Sequence, residues 1–111
     1  MNSITVAELA FWRNNAFDHV LFDVRRQVKR EADDAEIGNG QWLDPALWLD
    51  WKDHVPQGKP IIMYCAYGHE IGQGMAAVLR AMGHDARFLE GGIDAWQAAG
   101  FQVQQLERVT Q

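Results

Sequence analysis

The sequence predicts an α/β fold in which a parallel sheet is covered by helices on both faces. Three short apolar runs are typical of buried strands, and they lie at Val20–Val24, Pro60–Cys65 and Ala86–Leu89. Segments with helix-capping or helical spacing separate these runs along the chain. Strands that alternate with helices favour a parallel sheet, because parallel neighbours need a crossover connection between them.

The first predicted helix runs from about Thr5 to Asn14. Thr5 and Glu8 have the spacing of a capping box, in which each side chain accepts a hydrogen bond from the other residue's backbone N–H. The apolar residues Leu9, Phe11 and Trp12 then follow, which favours a helix. The helix therefore precedes the first apolar run and can pack on it.

Residues 25–41 are polar and end in Gly38-Asn39-Gly40, so we predict a loop with about one helical turn. Asp44 and Pro45 then predict a second helix, with Asp as N-cap and Pro in the first turn. Leu47, Trp48 and Trp51 fall on it at helical spacing, and a turn is predicted at residues 56–58.

The second half of the chain predicts two more helices. One covers Met75–Met82 and is ended by Gly83, and the other covers Ile93–Ala99 after a Gly91-Gly92 turn. The stretch from Phe101 to Arg108 is predicted as a final strand or an extended tail.

Composition bounds the class of protein. The chain has 111 residues, 48% hydrophobic and 23% charged, which predicts one globular domain over residues 1–111. The formal net charge of −5 disfavours nucleic acid and anionic membranes as partners. No apolar run could span a bilayer, and no basic leader precedes the first apolar pattern. One cysteine cannot form an internal disulfide, so we expect a free thiol and a cytoplasmic location.

The single thiol, Cys65, ends the most convincing strand and opens a glycine-punctuated loop, MYCAYGHEIGQG. Ligands of open parallel sheets bind beyond the carboxyl ends of the strands. The N-terminus of the following helix points backbone N–H groups into such a loop and favours a thiolate, which is the nucleophilic form of cysteine. A small buried hydrophobe is the alternative role of such a cysteine, and the pattern alone leaves both open.

Four segments together resemble the rhodanese-like domain family. They are Leu21-Phe22-Asp23-Val24-Arg25, a faint Ile37-Gly38, Ile61-Ile62-Met63-Tyr64-Cys65 with its Gly68-containing loop, and Leu89-Glu90-Gly91-Gly92-Ile93-Asp94-Ala95-Trp96. The resemblance covers roughly residues 4–103, and the order of the segments makes it specific. It implies a three-layer α/β/α fold with a five-stranded, mostly parallel sheet.

The resemblance also implies sulfur transfer with Cys65 as the nucleophile. Cys65 would take a sulfane sulfur from thiosulfate or a persulfide donor, carry it as a persulfide, and pass it to a thiol or cyanide. The cradle for that persulfide would be formed by Ala66, Tyr67, Gly68, His69, Glu70 and Ile71. No cofactor and no metal is expected, and the protein would be a monomer or a weak dimer.

Two residues of the first motif are expected to support the site. Asp23 ends its strand near the loop, and its carboxylate could hold backbone N–H groups or pair with Arg25. An ordinary structural ion pair is the favoured interpretation of these two residues. Gly91-Gly92 is interpreted as a turn, and Trp96 as a core anchor.

The loop departs from the family pattern in its charges and its length. Many thiosulfate-using members carry a cation at the second or sixth loop position, where this chain has Ala66 and Glu70. Thiosulfate is therefore predicted to be a poorer donor than a less charged persulfide. The loop also looks one residue longer than usual, as in related phosphatases and arsenate reductases. Those enzymes grip an oxyanion with an arginine at the position of Ile71.

Three functions stay open from the sequence. The first is the sulfurtransferase, with His69 as an imidazolium near the thiol and a loop similar to that of chromate-resistance-associated relatives. The second is a binding or regulatory module that has lost its activity together with the loop cation. The third, disfavoured by Ile71, is an oxyanion reductase or phosphatase. Cys65, His69 and Glu70 match no strong zinc pattern.

Overall fold

A five-stranded parallel sheet forms the centre of the fold in the computed structural model, which describes residues 2–68 and 70–106. The spatial order of its strands is β1-β6-β5-β2-β4, and every neighbouring pair is parallel. The other two strands, β3 and β7, pair antiparallel as a small separate sheet. The strands are β1 (Ser3–Ile4), β2 (Val20–Asp23), β3 (Ala35–Glu36), β4 (Gln41–Trp42), β5 (Ile61–Tyr64), β6 (Ala86–Leu89) and β7 (Gln104–Gln105).

Helices lie between the strands along the chain. Two short 3₁₀ turns, Pro45–Leu47 and Lys52–His54, flank the third helix. The helices are α1 (Val6–Asn14), α2 (Gln27–Asp33), α3 (Trp48–Trp51), α4 (Glu70–Ala81) and α5 (Gly92–Ala98). None of the helices in the described part of the chain is long and apolar enough to cross a membrane.

The sheet is covered on both faces, which confirms the predicted three-layer α/β/α fold. Because side chains alternate along a strand, Leu21 lies on one face and Phe22 on the other. The first face packs under α1 and α5, where Trp96 is buried. The second face packs under α3 and α4, with Trp48 and Trp51 against it.

The prediction for the N-terminal helix is confirmed. Thr5 is the N-cap of α1, and both hydrogen bonds of the capping box with Glu8 are present. The two-residue strand β1 immediately before it was not predicted. Such a strand is too short to show the alternation that identifies strands in a sequence.

The prediction of a mostly irregular segment at residues 25–41 is wrong. The segment contains the two-turn helix α2 and the short strand β3, and strand β4 begins at its last residue. Helix α2 has no buried residue, so its sequence shows no apolar stripe. It ends where Asp34 takes a left-handed conformation, with φ of 52°.

The start of the fourth helix also differs from the prediction. Helix α4 begins at Glu70 rather than Met75, so Gly72 and Gly74 lie inside it. Glycine disfavours helices, so the glycines at positions 72 and 74 led to a predicted start after them. Strand β7 falls within the predicted final strand, whose end at Arg108 lies outside the described residues.

Candidate active site

Cys65 follows β5 directly, at the carboxyl end of the parallel sheet. The residue is 6% exposed and belongs to the core on the α3 and α4 side. The preceding residue, Tyr64, faces the other core. The alternation of the strand thus points the thiol toward the N-terminal end of α4.

The loop turns so that a backbone donor faces the sulfur. The backbone N–H of Gly68 donates to Cys65 Sγ, with 3.2 Å between nitrogen and sulfur. Gly68 has φ of 73°, and a Cβ at this position would lie 2.4 Å from the nitrogen of Gly91. Only glycine therefore fits the turn that directs this N–H at the thiol.

The first turn of α4 lies against the other side of the sulfur. A Cβ on Gly72 would lie 3.4 Å from Cys65 Sγ, which is van der Waals contact. The positive end of the helix dipole is therefore close to the thiol. The side-chain amide of Gln73 donates to the carbonyl of Gly68 at 2.9 Å and ties the loop to the helix.

Helix α5 holds the start of the loop through its own backbone. The N–H groups of Ile93 and Asp94 donate to the carbonyls of Cys65 and Ala66, both at 3.0 Å. Gly92 has φ of 61°, and a Cβ there would lie only 2.4 Å from the Cys65 oxygen. The Gly91-Gly92 pair, interpreted from sequence as a simple turn, therefore also lets α5 approach the Cys65 loop.

Tyr67 is the exposed aromatic residue of the loop, with 49% of its surface accessible. Lys29 of α2 donates to its hydroxyl at 3.2 Å and lies over its ring at 5.1 Å from the centroid. The Asp33 and Tyr67 hydrogen bonds raise the pKa of Lys29. Sequence reasoning missed Lys29, because 38 residues separate it from Tyr67.

Asp23 and Arg25 form a buried ion pair, as the sequence analysis favoured. Arg25 Nη2 lies 2.7 Å from one Asp23 oxygen, and its Nε donates to the other at 3.0 Å. Burial alone would lower the pKa of Arg25, but the hydrogen bonds and charge of Asp23 outweigh it and raise that pKa. Arg30 also donates to Asp23, at 3.1 Å.

This ion pair lies away from the thiol. The Arg25 guanidinium lies 5.6 Å from the centroid of Tyr64, which is on the opposite face of the sheet from Cys65. Arg25 also donates to the carbonyl of Ala35 at 2.8 Å. Asp23 and Arg25 thus join β2 to the segment containing α2 and β3, and no contact of theirs reaches the sulfur.

The predicted cradle residues do not all form one group. Ala66 and Gly68 lie in the loop beside Cys65, whereas Ile71 is in α4 and packs against the core. The predictions for His69 and for the side chain of Glu70 lie outside the described residues. Over residues 2–68 and 70–106, no group of three or more His, Cys, Asp or Glu residues could hold a metal ion.

The family model for the rhodanese-like domain matches residues 5–99 of the chain. Among curated proteins, the probable adenylyltransferase/sulfurtransferase MoeZ of Mycobacterium tuberculosis is 33% identical over 97 residues. That match covers 86% of this chain and 24% of MoeZ. The chain therefore spans about a quarter of the length of the curated relatives it matches.

Solved structures share the fold. A rhodanese-like domain protein from Staphylococcus aureus has a TM-score of 0.78 at 24% identity, with 96% of this chain and 100% of that one covered. A thiosulfate sulfurtransferase from Pseudomonas aeruginosa has a TM-score of 0.75 at 18% identity, with 94% of this chain and 19% of that one covered. At these identities the likeness shows the fold of the chain.

Proposed function

The chain belongs to the rhodanese-like domain family, and from this premise we propose that it is a sulfurtransferase whose Cys65 carries a sulfane sulfur as a persulfide. The observation that carries the proposal is the Gly68 N–H that donates to Cys65 Sγ at the N-terminal end of α4. Donors aimed at a sulfur stabilise the anionic forms that sulfur transfer requires, both the thiolate and the persulfide.

The proposed reaction has two displacement steps. The Cys65 thiolate attacks the outer sulfur of thiosulfate, a new S–S bond forms at Sγ, the S–S bond of thiosulfate breaks, and sulfite leaves. Cyanide or a thiol then attacks the outer sulfur of the persulfide. The Sγ–S bond breaks and its electron pair returns to Cys65, with thiocyanate or an acceptor persulfide as product. The intermediate predicts ping-pong kinetics.

An organic persulfide can take the place of thiosulfate. Cys65 then attacks the outer sulfur of the donor, and the donor leaves as its thiol. Because the described loop residues Ala66, Tyr67 and Gly68 contain no cation, we expect donors with little net charge to react well. A working free thiol needs a reducing compartment, so we propose that the protein acts in the cytoplasm.

Two of the relatives support this proposal at the level of the reaction. The M. tuberculosis protein is named a probable sulfurtransferase, and the P. aeruginosa structure is a thiosulfate sulfurtransferase. This chain matches only part of each of them. The choice of donor and acceptor therefore rests on the Cys65 site and needs a direct measurement.

The test is the intact mass of the protein after incubation with thiosulfate or with an organic persulfide, followed by cyanide. We expect a gain of one sulfur that cyanide removes, no gain in Cys65→Ala, and unfolding of Cys65→Ala at nearly the same urea concentration as wild type. A folded wild-type protein that gains no sulfur from either donor would overturn the proposal. That result would favour the binding or regulatory module instead.

A further inference from the structure

A cavity of about 400 Å³ opens on the α1 and α5 side of the sheet, on the opposite face from Cys65. Arg13 and Asn14, at the end of α1, line one side of it. Phe101 and Gln104, in the segment after α5, line the other. We call it the Arg13 cavity, and its volume is within the range of small-molecule sites in proteins.

Part of the Arg13 cavity has an aromatic, apolar wall. Trp96 and Phe101 contact each other with 4.8 Å between ring centroids, and both line the cavity together with Ala10 and Val103. The indole Nε1 of Trp96 donates to the carbonyl of Gln102 at 2.9 Å, so the one polar atom of the indole already has its partner. Such a wall suits a ligand with a flat apolar body.

The other part carries a positive charge that no described carboxylate balances. Arg13 is half-buried and donates to the carbonyl of Gly38. Three other arginines pair with carboxylates, but no Asp or Glu among the described residues lies within ion-pair distance of Arg13; the three are Arg25, Arg30 and Arg87. Among the described residues that line the cavity, Arg13 is also the only charged one. A guanidinium has five N–H donors, so most of those of Arg13 are available to a ligand.

The electrostatics of Arg13 favour an anion in the cavity. Burial lowers the pKa of Arg13, because its charge has lost hydration without gaining a carboxylate partner. For Arg25, by contrast, the hydrogen bonds and charge of Asp23 outweigh burial and raise the pKa. Arginine stays protonated at neutral pH in either case, and its planar fork matches the two oxygens of a carboxylate. A single cation balances a single negative charge.

We propose that the Arg13 cavity is a second ligand site, which binds a small organic monocarboxylate with a flat apolar body. The Arg13 guanidinium holds the carboxylate, and Trp96 and Phe101 contact the apolar body. The inference goes beyond the proposed sulfur transfer and does not depend on it, because the cavity and Cys65 lie on opposite faces of the sheet.

The experiment titrates three probes into the wild-type protein and follows its ¹H–¹⁵N NMR signals. The indole N–H of Trp96 and the backbone N–H groups of Gly38 and Gln104 report on the cavity. We expect benzoate to shift these signals with a Kd of about 1–10 mM, as is usual for so small a ligand. Benzamide has the same shape without the charge, and acetate has the charge without the ring. Both should bind at least about 10-fold more weakly than benzoate.

Arg13→Gln removes the charge, and Arg80→Gln is its matched control. Arg80 is also half-buried and donates to a backbone carbonyl, that of Ala86 at 3.0 Å, but it belongs to α4 on the other face of the sheet. The two variants change the net charge equally. We expect Arg13→Gln to weaken benzoate binding by about 10-fold or more. Arg80→Gln should bind as wild type does, and Arg13→Lys, which keeps the charge without the fork, should be intermediate.

Two further variants test where the ligand lies. Ala10 is 8% exposed and lines the cavity, so Ala10→Leu takes up the room of the ligand and leaves the charge of Arg13 in place. Leucine is a good helix former, so α1 should be retained. The benzoate shifts should be absent from Ala10→Leu at concentrations that saturate wild type. Cys65→Ala should bind benzoate as wild type does.

Four results would overturn the inference. One is the absence of any shift of these signals with benzoate in wild type. Another is binding of benzamide or acetate as tight as that of benzoate. The third is wild-type affinity in Arg13→Gln that unfolds at the urea concentration of wild type. The last is loss of binding in Cys65→Ala, which would place benzoate at the Cys65 loop. A wild-type protein that accepts no sulfur would change none of these measurements, so the two proposals fail separately.

Discussion

Strands β2 and β5 end side by side, since Asp23 pairs with Tyr64 in the parallel register, yet the two ends are built in different ways. After β2, hydrogen bonds between charged side chains fix the backbone: Arg25 and Arg30 both donate to Asp23. After β5, backbone donors fix the loop, since the Cys65 sulfur and the Cys65 carbonyl each accept a hydrogen bond from a backbone N–H.

The residues that end β2 and follow β5 are similarly buried, but their hydrogen-bond partners differ. Asp23 is 2% exposed and Cys65 is 6% exposed. A buried carboxylate needs cations, and the arginines that satisfy it also tie α2 to the sheet. Over the described residues of the loop, the Cys65 thiol accepts a backbone N–H, that of Gly68. The first end therefore contributes stability, and the second is suited to chemistry.

The largest expected effect is at the backbone-built end. Gly92→Ala would place a Cβ 2.4 Å from the Cys65 oxygen at a residue with φ of 61°. We expect a loss of about 4 kcal/mol in the free energy of unfolding, from left-handed strain and steric overlap together. Urea unfolding measures it, with Gly100→Ala as control. Gly100 has φ of 83° and open space around it, so that variant should lose only about 1 kcal/mol. Equal losses would contradict the close approach of α5.

The next effect is at the charged end. Arg25→Met removes the main partner of the buried Asp23 carboxylate, and we expect a loss of about 3 kcal/mol in the free energy of unfolding. Lys52→Met breaks the exposed pair with Asp53 and should cost less than about 1 kcal/mol. Chemical denaturation of both variants checks the difference. Similar small losses would show that the Asp23–Arg25 pair is not a stabilising anchor.

The buried phenol of Tyr64, at the end of β5, makes the free energy of unfolding depend on pH. Burial, followed by the charge of Asp23, raises the pKa of Tyr64 above its ordinary value near 10. Above pH 10 the unfolded chain releases the phenolic proton while the folded chain keeps it, so stability falls as pH rises. The contribution approaches about 1.4 kcal/mol per pH unit.

The measurement is the free energy of unfolding between pH 9 and pH 11 in wild type and Tyr64→Phe. Tyr64→Phe should lose less stability with rising pH than wild type. At neutral pH the free energy of unfolding of Tyr64→Phe should be about 1 kcal/mol lower than that of wild type, because the N–H of Ile37 loses its acceptor. Tyr67→Phe is the control, since Tyr67 is half exposed. A wild-type pH slope retained by Tyr64→Phe would refute the assignment.

The elements with strong local signals were predictable from the sequence. The Thr5 capping box and the three four-residue strands β2, β5 and β6 were found by spacing and apolar pattern. Strands β1, β3 and β4 have two residues each, and α2 buries none, so neither periodicity nor an apolar stripe could reveal them.

The candidate site was predictable only where it is local in the chain. The position of Cys65 at a strand end follows from the pattern around it. The contact of Lys29 with Tyr67 and the approach of α5 to Cys65 join residues distant in sequence. Such contacts depend on how the layers pack, and no spacing within a segment reports them.

The smallest expected effect on stability is also the sharpest test of the space around the sulfur. Gly72→Ala places a Cβ 3.4 Å from Cys65 Sγ, whereas Gly74→Ala on the same helix meets nothing within 4 Å. Alanine favours a helix over glycine by about 0.5–1 kcal/mol, so both variants should be slightly stabilised. A second sulfur on Cys65 needs room beside Sγ, so only Gly72→Ala should slow persulfide formation, by about tenfold if crowding costs about 1.4 kcal/mol. Mass-monitored loading measures this, and equal rates in both variants would mean that the sulfur extends away from α4.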